Sequence, residues 1–339
     1  MAIQARKFAF AALAAALCAF PAAAAPAEKP AAAPARFDLS KIPDVRIFKG
    51  GETLAFRDPA VYFEDGTFHL FFTLCDPADM SSTVGYSSSR DLVRWTAPRA
   101  LFPSRKTLNW SSPGNVVRFG DERILCIQTY PTPHAKRGKV EFGDESCRIF
   151  IVRTKDFRVW SEPELLMVKG PDVPREKMGR MIDPYLLQDS DGLWHCFYKH
   201  RVGRRTGVCR SVSRDLKTWK YAGFAEAGEN VCVLPRDGGG WTMFHSPENG
   251  IGVKRSDDLR KWKDCGSTTL GQAGWPWARG RITAAAVLDC RKIPGIGAYL
   301  MFFHGSGPKK ELEGDLWKNA SIGIAWSADG VDWSWPGKK

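Results

Sequence analysis

Five stretches carry one signature: SSSRDLVRW at residues 87–95, RTKDFRVW at 153–160, SVSRDLKTW at 211–219, RSDDLRKW at 255–262 and SADGVDW at 327–333. In each an Asp stands four residues before a Trp: Asp91/Trp95, Asp156/Trp160, Asp215/Trp219, Asp258/Trp262 and Asp329/Trp333. The spacing within the signature is constant, while the distance between successive Trp residues runs 65, 59, 43 and 71. Identical solenoid rungs would keep one period, so the pattern describes one supersecondary unit with loops of variable length.

Upstream of each copy the same grammar returns. AVYF, EDG and TFHLFFT precede the first; PYLLQ, DSDG and LWHCFYK the third; VCVLP, RDGG and GWTMFHS the fourth. Asp-Gly between apolar runs marks a hairpin, because a tight turn needs residues that tolerate positive φ. Each unit is therefore three or four antiparallel strands, with the Asp-x-x-x-Trp element closing the third and leading to the fourth. Four-stranded units repeated radially shield most of their edges, which predicts an all-β chain folded as a five-bladed β-propeller. Thirteen Trp and 20 Phe set among 32 Gly and 22 Pro agree with many short strands and turns.

The rest of the chain bounds its class. Of 339 residues 44% are hydrophobic and 25% charged, which excludes global disorder. Arg6 and Lys7, the apolar run 8–20 and the small residues around Ala25 form the parts of an export leader over residues 1–25. Leu17 ahead of Cys18 argues against a lipoprotein site. Residues 26–36 read as a Pro/Ala linker, and residues 37–339 as one propeller domain, exported to the periplasm or beyond. Beyond the leader no apolar run is long enough to span a membrane. Eight Cys remain without a C-x-x-C pair, which excludes a zinc knuckle. Cys126 with Cys147, or Cys196 with Cys209, are candidates to bridge neighbouring strands. The formal charge of +12 admits an anionic partner; export and the lack of a recognition motif argue against nucleic acid.

In an antiparallel hairpin the head of the first strand and the end of the second lie at one edge. In a propeller these positions converge on one mouth. The strand heads are Arg57-Asp58-Pro59, residues 112–115 with Asn115, Ile182-Asp183-Pro184, Gly228-Glu229-Asn230 and Arg281-Ile282-Thr283. The second strands leave through residues 73–76, residues 128–130 with Tyr130, Lys199-His200, His245-Ser246 and His304-Gly305. Asp58, Asp183 and Glu229 thus arrive from three blades, amid His, Arg, Asn and Tyr. Carboxyls forced together split their pKa values, so that one serves as acid and another as base, the equipment of glycoside hydrolysis. Arg57, Arg180, Lys199, Arg201, Arg204, Arg205, Arg279 and Arg281 gather near the same mouth, a collar suited to an oligo- or polysaccharide bearing uronate or sulfate. Trp110, Trp275 and Trp277 flank strand heads and are candidates to stack on sugar faces.

FRDPAV, GRMIDPYLL and GENVCVL, in that order on a five-repeat β chain, resemble glycoside hydrolase family 43 and its five-bladed relatives, families 32, 62, 68 and 117. The resemblance runs over the whole chain after the leader. It implies an inverting hydrolase of a plant or algal polysaccharide, with Asp58 as general base, Asp183 as the residue that orients and tunes the acid, and Glu229 as general acid. The family's acid sits in an E-G-P-like setting, whereas here it is E-N-V, which leaves Glu226 and Glu248 as alternatives. It further implies a substrate contact from Arg281 and no required cofactor; Arg57, Asn115, Tyr130, His200, His245, Trp110 and Trp277, placed at the same mouth by the strand reading, are further candidates for substrate binding. In several relatives a His near the channel axis helps hold calcium, which makes His304 a candidate ligand of a structural calcium ion. A non-catalytic glycan-binding propeller and a retaining, fructosidase-like hydrolase are the alternatives.

Overall fold

The computed structural model describes residues 37–78, 81–103, 108–131, 134–136, 139–141, 145–202, 205–308 and 318–338. The leader, the linker, Arg204 and the side chains of Arg201 and Arg205 lie outside what is described. Four antiparallel sheets of four strands and one of five stand as the blades of a five-bladed β-propeller. Blade 1 comprises Ala55–Glu64, Thr67–Asp76, Ser81–Ser89 and Arg99–Ala100. In blade 2 the inner strand is split into Leu108–Ser111 and Val116–Phe119, both paired to Glu122–Pro131, which is followed by Ile149–Thr154 and Glu164–Leu165. Blade 3 is Met181–Gln188, Trp194–Val202, Arg205–Ser213 and Trp219–Phe224. Blade 4 is Glu229–Pro235, Trp241–Ser246, Ile251–Ser256 and Lys263–Thr268.

Blade 5 is where sequence order and ring order part. Its inner three strands are Arg281–Asp289, Tyr299–Ser306 and Ser321–Ser327, but its fourth comes from the start of the domain. Arg46–Phe48 pairs antiparallel with the 321–327 strand, so both ends of the domain share one sheet and the ring is shut by backbone hydrogen bonds. No helix among the described residues is long and apolar enough to cross a membrane.

The repeated signature is a turn followed by a wedge. In every copy the Asp Oδ1 accepts two successive backbone N–H groups, at 2.7–3.0 Å: Val93 and Arg94, Arg158 and Val159, Lys217 and Thr218, Arg260 and Lys261, Val331 and Asp332. A Ser or Thr two residues earlier (Ser89, Thr154, Ser213, Ser256, Ser327) donates to the same carboxylate. The residue after the Asp takes positive φ: Leu92, Phe157, Leu216, Leu259 and Gly330. Local side-chain bonds of this kind hold a turn that the strand ladder cannot. The Trp then packs against the preceding blade. Trp160 meets Phe71 at 5.7 Å, Trp262 meets Phe197 at 6.3 Å, Trp333 meets Phe244 at 6.1 Å and, around the closure, Trp95 meets Phe302 at 6.1 Å. The core accordingly lies between blades rather than at the centre, in one cluster shared by blades 5 and 1 and others spanning blades 1–2, 2–3 and 3–5.

The anticipated disulfides do not form; the cysteines after the leader are thiols. The register explains why: Cys196 faces Ser211 across the ladder rather than Cys209, and Cys126 faces Ile151 rather than Cys147. Burial pushes the Cys126 thiol up to about 12, and the buried cysteines act as small apolar fillers, whereas Cys265 is exposed.

Candidate active site

The inner strands all begin with the same defect. Asp58, Ser112, Asp183, Asn230 and Ala284 are non-glycine residues with φ between 39° and 55°, one per blade. In blades 1, 3, 4 and 5 the ladder slips beside them. A left-handed L-residue costs roughly 1–2 kcal/mol, so a defect repeated in five blades requires compensation. It comes from the neighbouring blade. The Ser112 N–H donates to Thr73 Oγ1 at 2.8 Å, the Asp183 N–H to Gln128 Oε1 at 2.6 Å, the Ala284 N–H to Ser246 Oγ at 2.8 Å and the Asp58 N–H to His304 Nδ1 at 3.2 Å. Each acceptor sits at one register position on the second strand of the preceding blade, opposite Arg57, Ser111, Glu229 or Thr283.

At the fifth junction that register position is Lys199, paired with Ile182. An ammonium has no acceptor to offer, and it meets the Glu229 carboxylate instead. The other Glu229 oxygen is held at 2.5 Å by Arg281 of blade 5. Glu229 therefore bonds to cations from the blades on either side of its own.

These strand heads open into a cavity of about 980 Å³ lined by Arg57, Asp58, Tyr130, Asp183, Glu229 and Arg281, with Arg180, Lys199, Glu248 and Arg279 also on its walls. A smaller cavity of about 230 Å³ lies against the inner strands, shares Asp58, Asp183 and Asn230 with the first and is otherwise largely apolar, with Ala284–Leu288 along one wall. The three carboxylates anticipated from the sequence thus line one cavity, and Asp58 and Asp183 hold the same position on blades 1 and 3.

The electrostatics separate the three. Burial by itself would raise the Asp58 pKa. The adjacent His304 ring, the Arg57 charge and the Thr73 hydroxyl outweigh it and bring Asp58 to about 2. Thr73 Oγ1 donates to Asp58 Oδ2 at 2.9 Å, Ser112 Oγ to the same oxygen at 3.2 Å and Asn230 Nδ2 to Oδ1 at 3.3 Å. Asp183 goes the other way: burial, then the negative charges of Glu229 and Asp58, lift it to about 7 against the pull of Lys199 and Arg180. Glu229 is half-buried, yet Lys199 and Arg281 more than offset the desolvation and hold it below the usual carboxylate range.

Other anticipated residues stand elsewhere. Asn115 lines the smaller cavity rather than the larger one and braces blade 2 to blade 3 through both halves of its amide, donating to Leu186 O at 2.7 Å and accepting from the Leu186 N–H at 2.8 Å. His200 is buried between Lys169 Nζ (2.5 Å) and the Arg180 carbonyl (2.7 Å). His245 is buried and accepts from the Gly228 N–H at 3.1 Å, next to a glycine whose Cβ would fall 1.9 Å from Ser246 O. Trp110 is a core residue between blades 1 and 2, edge-on to Phe150. Trp277 stacks on Trp275 at 5.5 Å and packs against Phe303, off the cavity wall, and Glu226 is absent from that wall too. Calcium takes ~6–8 oxygen ligands. Among the described residues no group of three or more His, Cys, Asp or Glu could hold a metal, and His304 Nδ1 already accepts the Asp58 N–H. The individual roles of Thr73, Gln128, Asn230 and Ser246 were missed; only the strand register marks them.

No protein-family model and no curated protein matches the chain. Solved structures do. A family 117 glycoside hydrolase from the marine bacterium Zobellia galactanivorans superposes with a TM-score of 0.60 at 13% identity, over 88% of this chain and 96% of that one. The catalytic domain of a family 62 α-L-arabinofuranosidase from Coprinopsis cinerea gives 0.57 at 15%, over 83% and 96%. An exo-1,5-α-L-arabinanase from a bovine ruminal metagenomic library gives 0.53 at 16%, over 82% and 95%. At these identities the likeness is one of architecture: the chain has the five-bladed propeller fold on which these three glycosidases are built.

Proposed function

We propose that this chain is a glycoside hydrolase, exported by its leader and acting by inversion on an oligo- or polysaccharide. The observation that carries the reading is that Asp58, Asp183 and Glu229, from three blades, line one cavity in unlike surroundings: Thr73, Ser112 and Asn230 bond to the Asp58 carboxylate, whereas burial and the nearby Glu229 and Asp58 raise the Asp183 pKa. An ionised and a protonated carboxyl are what glycosidic hydrolysis uses. In this reading Asp58 takes a proton from a water as the water oxygen bonds to the anomeric carbon. The Asp183/Glu229 pair returns a proton to the glycosidic oxygen as the C–O bond breaks. One water is consumed and two hydroxyls are formed. Inversion requires the carboxyls ~6.5–9.5 Å apart, leaving room for that water.

The collar narrows the substrate. Arg57, Arg180, Lys199, Arg279 and Arg281 line the cavity against the carboxyls of Asp58, Asp183, Glu229 and Glu248, so basic groups outnumber acidic ones and the mouth suits a glycan carrying carboxylate or sulfate. The arabinanase and arabinofuranosidase named above make α-L-arabinofuranosides the first sugars to try.

The test is incubation with arabinan, xylan, galactan, agar-type, ulvan-type and pectic oligosaccharides, with new reducing ends as the readout and Asp58→Asn run in parallel. Release by wild type and none by D58N, with the product anomer inverted by proton NMR, is the expected result. Binding to one glycan without release from any would replace the hydrolase with a glycan-binding propeller.

A further inference from the structure

The hydrolytic reading leaves open which member of the Asp183/Glu229 pair delivers the proton, and the geometry of the inner ring bears on that directly. Resting on that reading, we propose that Asp183 donates the proton to the leaving oxygen. Glu229 is a positioning residue, an anionic clasp that joins blades 3, 4 and 5 and secures the proton on its neighbour.

Three observations converge. First, Glu229 has no oxygen to spare, since Lys199 bonds one and Arg281 the other. A carboxylate held by two cations is the ionised form, and a donor must begin protonated. Second, Lys199 occupies the register position at which Thr73, Gln128, Ser246 and His304 secure the next blade. The Lys199–Glu229 contact thus stands where the other four junctions have a structural latch. Third, Asp183 is buried, lines both cavities and takes its own backbone latch from Gln128, while among the described residues no hydrogen bond or ion pair reaches its carboxyl oxygens. It holds the strand position that Asp58 holds two blades away, and the two carboxyls line the same two cavities.

The step balances. Asp183 Oδ–H passes its proton to the glycosidic oxygen as that oxygen takes the C–O bonding pair, and Asp58 holds the proton of the attacking water. Exchange with solvent then returns Asp183 to its protonated form and Asp58 to its ionised one. Arg180, Lys199, Asp58 and Glu229 are the charges that face Asp183, and Glu229 supplies the largest electrostatic push toward the protonated form.

Two readouts on the full chain, Asp183→Asn and Glu229→Gln, decide it. One needs no turnover: an infrared difference titration of the buried carboxyl C=O band. We expect a band that persists to near neutral pH in wild type, is missing in D183N, and in E229Q titrates at lower pH because the adjacent negative charge is gone. A band that survives D183N and disappears in E229Q overturns the proposal. The other compares a 4-nitrophenyl glycoside with a sugar-leaving-group glycoside of the sugar that the panel identifies. A poor leaving group needs the proton and a phenolate does not. D183N should lose about 10²–10⁴-fold on the sugar leaving group and roughly tenfold or less on the nitrophenyl substrate, whereas E229Q should lose the same factor on both. The reverse pattern also overturns the proposal. A wild type inert toward every glycoside sinks the hydrolase reading and the donor role with it, while the infrared band still reports where the proton resides.

Discussion

Thr73 carries two tasks with one hydroxyl. It donates to Asp58 Oδ2 and accepts the Ser112 N–H, so it both lowers the Asp58 pKa and latches blade 2. Thr73→Val keeps the shape and removes both bonds. The Asp58 pKa, depressed to about 2, then rises, and the acid limb of the activity profile moves to higher pH. Because the folded pKa of Asp58 lies below its unfolded value, its contribution to stability is present above about pH 4 and fades as pH falls toward 2. T73V surrenders part of it at neutral pH, and a buried N–H left unpaired adds about 1–3 kcal/mol. Urea titrations at pH 4 and pH 7, beside a pH–rate profile, check both; an unmoved acid limb would remove Thr73 from the account of the base.

At the scale of the element, the repeat is a turn whose closing Trp is driven into the preceding blade. Trp219 is 2% exposed, packs with Ile124 and Cys126 of blade 2 and donates its Nε1–H to Leu216 O at 3.0 Å. Trp219→Ala should cost about 3–5 kcal/mol, read as a lower urea midpoint, because cavity and lost contacts fall at an interface rather than in a loop. The half-exposed Trp275 and Trp277 lie outside the repeat. The sequence shows the Asp and the Trp of each copy, since they are unusual residues at fixed spacing. The Ser or Thr two places before each Asp is equally regular, but Ser and Thr are too common to stand out until their hydroxyls are seen on the carboxylate.

Across the whole molecule, the ring is closed by three residues. Arg46–Phe48 supplies the outer strand of blade 5, and Phe48 is buried against Phe56 at 5.2 Å and Phe72 at 5.3 Å of blade 1. Phe48→Ala is expected to destabilise the entire domain by about 3–5 kcal/mol, with one cooperative transition at lower temperature. Two separate transitions would mean instead that the last blade melts by itself. The closure also bears on the site, because His304 and Arg281 come from blade 5 while the groups they touch stand on blades 1 and 4.

The sequence alone determined the architecture and the convergence of three carboxyls on one mouth. Five equal Asp–Trp spacings, each behind hairpin signals, can be read locally because turn chemistry and strand alternation act over a few residues. Strand heads converge in any propeller, so Asp58, Asp183 and Glu229 could be placed near one mouth before any coordinate was known. Only the tertiary structure decided what each carboxyl meets. His304 lies 246 residues from Asp58 and Arg281 lies 52 from Glu229, and these distant partners lower the Asp58 and Glu229 pKa values while burial raises that of Asp183. The closing strand was hidden for the same reason: pairing residues 46–48 with 321–327 depends on the ring coming round upon itself, and nothing within either segment announces the other.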